Sequence, residues 1–238
     1  MNVIIASIFR DSSSYLPRYF NQVATLALEL ERRGDALSIV AAEGDSADDT
    51  EEALRSSLRR FNSIFKMRRF LKAEHGGQRY GSVDVDERWR NISFVCNALL
   101  AQIEEMPDHQ VVLYVESDLI WDSETMLKLI DGLERQHTDA IVPLCIHQPT
   151  GLFYDTWGYR ADAIRFTQHK PYHAMLAHDD GRTLYHIDSA GSCIAMTYDV
   201  AKLARFDPPE LGIVGFGNDM RQRGFRMMLD PTVSVFHP

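Results

Sequence analysis

Two carboxylates stand one residue apart in Glu116-Ser117-Asp118, and the apolar run Val111-Val112-Leu113-Tyr114-Val115 leads directly into them. A run of this kind reads as a strand buried on both faces, and open α/β sheets bind ligands outside the carboxyl ends of such strands. Carboxylate oxygens placed there suit a hard divalent cation. The plainer alternative is a strand end that meets solvent with acidic residues. The rest of the chain has to decide between the two.

The elements that would hold this pair are legible from periodicity. Val3 to Phe9 and Leu37 to Ala42 are apolar runs of strand length, as are Ala140 to Leu144, Ser192 to Met196 and Thr232 to Phe236. Between them, Tyr15, Tyr19, Val23, Leu26 and Leu30 fall at helical spacing, and Gly34 closes that helix. Ser46 or Asp48 can cap a helix through Glu51, Leu54 and Leu58. Trp89, Ile92, Cys96, Leu99 and Ile103 form a third helical seam that ends before Pro107, and Thr125 to Leu133 forms a fourth. This alternation predicts an α/β fold, a mostly parallel central sheet flanked by helices, in one domain over 1–238.

Residues 59 to 87 are less regular and carry Arg59, Arg60, Lys66, Arg68, Arg69 and Lys72, which read as a solvated helix face or as a phosphate-binding patch. His147 to Tyr185 is rich in aromatic residues, His and Gly, as binding regions are. After a loop of Pro and Gly residues, a short helix is predicted to start at Asp219, where helix amides favour an anion.

A chain of 238 residues can bury one sizeable core. Its net charge of −9 argues against a duplex nucleic-acid binder that relies on a general phosphate-attracting surface, though a local basic patch stays open. Cys96, Cys145 and Cys193 lie in apolar contexts and read as buried free thiols. No run approaches transmembrane length and no basic segment precedes Val3, so neither anchor nor signal peptide is expected, and the compartment expected is the cytoplasm.

Four segments, in chain order, resemble the nucleotide-sugar glycosyltransferases of the GT-A fold. Glu43-Gly44-Asp45-Ser46-Ala47-Asp48-Asp49-Thr50 is similar to the acidic turn that holds the nucleoside, with Glu43 or Asp45 meeting the base. Arg90-Asn91 is similar to the "RN" ahead of the metal strand, and Glu116-Ser117-Asp118 resembles the DXD motif. Gly215-Phe216-Gly217-Asn218-Asp219, followed by Arg221, Arg223, Gly224 and a strand to His237, is similar to the "ED...R...G" segment with its terminal metal-binding His. Within that family, Phe153-Tyr154-Asp155-Thr156-Trp157 and His186 to Ser192 look most like the Anp1 and capsule-associated mannosyltransferases. Those are membrane-anchored Golgi proteins, and the missing anchor points to a bacterial or phage relative, placed in the host cytoplasm if phage-encoded.

The resemblance implies a metal-dependent hexosyltransferase that moves a sugar from a UDP- or GDP-sugar to a hydroxyl of a glycan, or of a hydroxylated nucleobase in phage DNA. Residues 1–145 would form the nucleotide-sugar half and 146–238 the acceptor half. When the bond between the sugar and the nucleoside diphosphate breaks, negative charge builds on the departing diphosphate oxygen, which a Lewis acid neutralises. Asp118, with Glu116 and His237, would hold Mn²⁺ or Mg²⁺. Ser7, Phe9 and Arg10, with Glu43, Asp45, Arg90, Glu116 and Ser117, would bind the donor. Asp219 and Asp155 are the candidate catalytic carboxylates. Trp157, Tyr154, Asp188 and Asn218 would meet the acceptor, since an aromatic plane beside a hydrogen-bond acceptor suits the two faces of a sugar. Two other classes compete: a metal-dependent phosphatase or phosphotransferase, and a non-catalytic nucleotide-sugar-binding domain. The first is disfavoured because haloacid-dehalogenase-type enzymes carry an aspartyl nucleophile on the first strand, where this chain has Ile4-Ile5-Ala6-Ser7.

Overall fold

The first strand, β1 (Asn2–Phe9), is buried along most of its length. Successive strand side chains point to opposite faces. Val3, Ile5 and Phe9 accordingly join one core, with Tyr19 and Leu26 of helix α1 (Leu16–Arg32). Ile4 and Ala6 join the other, and the helix they meet is reached only after β2 (Ala36–Glu43), α2 (Thr50–Arg60) and β3 (Arg68–Lys72). That helix is α3 (Asp86–Glu104), which contributes Cys96, Leu99 and Ile103. The computed structural model describes residues 1–78, 80–81, 83–106, 108–177, 183–206 and 212–238. Pro107 and the prolines of the late loop, used above as breaks, lie outside them.

Strand β4 (Val111–Val115) leads into the acidic triplet, and α4 (Ser123–Gln136) and β5 (Ala140–His147) follow. A small hairpin, β6 (Arg160–Ala161) and β7 (Ile164–Arg165), stands apart from the main sheet. The chain then forms β8 (Tyr185–Ile187), β9 (Cys193–Thr197), α5 (Tyr198–Leu203), α6 (Gly212–Gln222) and β10 (Met227–His237). The eight-stranded sheet has the order β3-β2-β1-β4-β9-β5-β10-β8. Pairs β1–β2, β2–β3, β1–β4 and β5–β10 are parallel. The sheet is therefore mixed but mostly parallel: β9 runs antiparallel between β4 and β5, and β8 antiparallel to β10. Helices α1, α2 and α4 cover one face and α3, α5 and α6 the other. The three cysteines are buried and free. Among the described residues no helix is long and apolar enough to cross a membrane.

Three local expectations are corrected. The segment read as irregular contains β3, so Arg68, Arg69 and Lys72 lie on a sheet edge and not on a helix face. Charged residues on an edge strand are common because they discourage pairing with another chain, and Lys72 is already paired with Glu51 and Glu74. Neither Ser46 nor Asp48 is the N-cap of α2, which is Asp49. Asp48 instead accepts from Thr50 N–H and from Ser13, tying the β1–α1 loop to the start of α2. Helix α6 begins at Gly212, which puts Asp219 near its carboxyl end and not at its start.

Candidate functional site

Two backbone hydrogen bonds assemble the centre of the site. Ile120 N–H donates to Phe236 O at 2.7 Å, and Phe236 N–H donates to Ile120 O at 2.9 Å. They join the turn after β4 to the end of β10, so that Asp118 Oδ2 and His237 Nε2 lie 3.1 Å apart. Helix α1 grips the same turn from the other side: Arg18 Nη2 donates to Asp118 O, and Gln22 Nε2 to Leu119 O. The Tyr154 ring stacks on His237, with centroids 3.6 Å apart and planes 12° from parallel. Asp118 is thus held at its carbonyl by Arg18 and at Oδ2 by His237, yet its Oδ1 is buried without a partner among the described residues. An unsatisfied buried charged oxygen costs more than about 1–3 kcal/mol.

Glu116 deepens the imbalance. Its backbone N–H donates to Ser192 O. Burial, then the charges of Asp118 and Asp155, push its carboxyl up to about 8. Asp155 is also buried, and burial raises its pKa against the opposing pull of the Gly158 N–H, the Ser192 hydroxyl and the Gly191 backbone. Gly158 and Gly191 make that cradle possible: a Cβ on Gly191 would stand 2.6 Å from Asp155 Oδ2, and one on Gly158 2.9 Å from Oδ1. Three carboxylates crowded into low dielectric repel one another unless a cation offsets them. Among the described residues, no three His, Cys, Asp or Glu side chains form a set able to hold a metal by themselves. An Asp and a His are nonetheless a sufficient protein share for Mg²⁺ or Mn²⁺ when substrate phosphates and water fill the remaining positions.

Two cavities meet at Glu116. The larger, about 500 Å³, is lined by Tyr154, Asp155, Trp157, Trp89 and His147, among others. The smaller, about 200 Å³, is lined by Phe9, Arg10, Gly44, His75, Asn91, Ser117 and Asp118, among others. Ile8, Arg88, Ile92 and Glu116 line both. Trp89 and Trp157 meet edge to face at 6.0 Å in the larger one.

Not every residue singled out from sequence arrives here. Phe9, Arg10, Ser117, Asp118 and Glu116 line the smaller cavity, and Tyr154, Asp155 and Trp157 the larger. Ser7 does not: its hydroxyl points toward α1, bonded to Tyr19 OH and to Val115 O, and is fully buried. Glu43 is buried with Oε1 on Ser46 N–H, and Asp45 Oδ2 accepts from His75 and Gly76 N–H; both carboxylates brace loops and line neither cavity. Arg90 is exposed beside Glu87 at 3.9 Å. Two residues along a helix turn through about 200°, so Arg90 faces away when Arg88 faces in. Asp188 takes Ala163 N–H and Arg221, and Asn218 Oδ1 takes Arg221 as well. Asp219 Oδ2 accepts from Arg205 N–H at 2.7 Å and Arg223 Nε at 2.8 Å. These three line neither cavity. Arg88 was missed, although a signal existed: it stands four residues before Ile92 and so shares the helix face of an apolar seam.

Family and fold together define the class. Residues 2–190 match the family described as cryptococcal mannosyltransferase 1, and the chain belongs to that family. Its fold is that of GT-A glycosyltransferases. A mannosyltransferase from Pyrobaculum calidifontis, solved with GDP-Man and Mn²⁺, superposes with a TM-score of 0.58 at 13% identity, over 99% of this chain and 56% of that one. GalNAc-T7, solved with UDP, GalNAc and Mn²⁺, gives 0.62 at 16% identity, over 100% and 43%. S. aureus TarS 1-349 with UDP gives 0.58 at 13%, over 99% and 60%. The chain thus spans about half the length of these proteins. No curated protein matches its sequence.

Proposed function

We propose that this protein is a metal-dependent glycosyltransferase that takes a hexose from a nucleoside diphosphate sugar and passes it to a hydroxyl of a carbohydrate. The observation that carries the reading is that Glu116 lines both of two contiguous cavities and Asp118 the smaller, with His237, which lines neither, 3.1 Å behind Asp118 Oδ2. Asp118 and His237 would hold Mn²⁺ or Mg²⁺, which supplies a Lewis acid for the diphosphate leaving group. The unpartnered Asp118 Oδ1 fits that part.

The chain's own residues divide the remaining work. Phe9, Gly44, His75 and Asn91 give the smaller cavity the dimensions and mixed polarity of a nucleoside site. Tyr154 and Trp157 bring aromatic surface to the larger cavity, where it would pack on the apolar face of a sugar, and Asp155 offers a carboxylate held rigidly by its glycine cradle. A sugar acceptor is favoured over a nucleobase in DNA because the net charge is −9 and Lys72 of the basic cluster is already neutralised. GDP-mannose is the first donor to test, given the family's description and the GDP-Man bound by the Pyrobaculum protein.

Incubation with GDP- and UDP-sugars in Mn²⁺, read by mass spectrometry for released nucleoside diphosphate and glycosylated product, tests the proposal. Release and transfer that stop with EDTA and return with Mn²⁺ are expected. Phosphate release from these donors without sugar transfer would favour a phosphatase instead.

A further inference from the structure

Arg88, in the first turn of α3, lines both cavities, and Glu116 is the other charged residue common to them. Its guanidinium lies 4.3 Å from the ring centre of Trp89 and 5.6 Å from that of Trp157. Trp89 is itself anchored, donating from Nε1 to Asp84 Oδ1 at 2.9 Å. Stacking of this kind fixes the plane of the fork before any ligand arrives. Yet Arg88 Nη1 is buried and has no hydrogen-bond partner among the described residues. A buried donor left unpaired is costly, and each one in a folded protein calls for an explanation such as a catalytic or binding role, a water or an ion.

Glu116, Arg10, Tyr154 and Asp84 are among the charged and titratable groups whose charges act on Arg88, and Arg10 and Glu116 line the smaller cavity with it. Burial lowers its pKa; Glu116 opposes that shift and Arg10 reinforces it. Two guanidiniums near each other in partly buried surroundings repel, and an anion between them relieves both. In a nucleoside diphosphate sugar the diphosphate is the covalent link between the other two parts. If the nucleoside fills the smaller cavity and the sugar the larger, the diphosphate must cross at Arg88 and Glu116.

We propose that Arg88, with Arg10 beside it, is an anion site for the donor's diphosphate. This rests on the nucleotide-sugar reading above. The planar fork matches two phosphate oxygens at once, which a lysine cannot do.

Calorimetry in Mn²⁺ on the full chain, with guanosine and uridine diphosphates, the matching nucleosides and inorganic pyrophosphate, tests the site. Arg88→Gln should weaken nucleoside diphosphate and pyrophosphate binding by roughly 10–100-fold while nucleoside affinity stays within about twofold, the loss expected for one charge-assisted contact. Arg88→Lys should recover part of the loss. Thermal melts check that both variants are folded. Equal diphosphate affinity in wild type and Arg88→Gln overturns the proposal, and so does an equal loss of nucleoside affinity, which marks a packing role beneath the two indoles. A wild type that binds pyrophosphate through Arg88 but neither nucleoside diphosphate keeps the anion site and overturns the nucleotide-sugar reading.

Discussion

Asp118 and His237 are 119 residues apart in sequence and 3.1 Å apart in space. If this pair holds the cation, Asp118→Asn removes one anionic ligand, and nucleoside diphosphate affinity in Mn²⁺ should fall by roughly tenfold or more, toward its metal-free value. Titration with and without Mn²⁺ checks this, and an unchanged metal dependence in the folded variant refutes the assignment. Asp219 belongs to a different account. Its carboxylate joins Arg205 and Arg223 outside both cavities. Asp219→Ala should therefore cost about 1–2 kcal/mol in urea unfolding, while donor affinity and turnover of the folded protein stay near wild type. A loss of kcat/KM on the order of 10² or more, with stability intact, would instead give it a catalytic role.

Helix α6 is positioned by contact of backbone with backbone. A Cβ on Gly217 would stand 2.2 Å from Asp188 O and 2.8 Å from Ser189 Cβ. A carbonyl locked between Arg160 and its neighbours cannot move aside as a flexible side-chain tip would, since Asp188 and Ser189 N–H both donate to Arg160 O. Gly217→Ala should lower stability by roughly 1–3 kcal/mol or more, seen as a drop in melting temperature. Near-native melting would mean that α6 can shift at little cost. The same helix ends in a turn that Gly224 makes at φ +84°, with Phe225 N–H on Met220 O. Glycine is favoured there because other residues strain at positive φ. At this scale β10 is the decisive strand: its register shifts between Asp230 and Ser234, and its end pairs His237 with His147.

The proposed site draws on the whole molecule, from Ile8 on β1 to His237 on β10. Ligand binding at such a site stabilises the whole fold by mass action. A nucleoside diphosphate and Mn²⁺ together, at about 100 times the dissociation constant, should add about 2.7 kcal/mol, or about 5–10 °C in melting temperature. Either component alone should add much less, and equal shifts with and without Mn²⁺ would refute coupled binding. By itself the sequence determined what is local. Buried parallel strands are continuous apolar runs and buried helix faces repeat every three or four residues, so β1, β2, β4, α1 and α3 were legible, as was the Glu116-Ser117-Asp118 triplet at a strand end. Edge strand β3 was not, because an edge needs only one neighbour and shows little apolar pattern. Nor could periodicity tell that Ser7 turns inward to Tyr19, that Asp219 closes a helix instead of opening it, or that Arg88 and not Arg90 faces the cavities. The tertiary structure alone decided these, and it also supplied the means by which Asp118 reaches His237: strand order and the two hydrogen bonds between Ile120 and Phe236. Local spacing encodes which face of an element is apolar, whereas the meeting of faces depends on pairings between residues far apart in the chain.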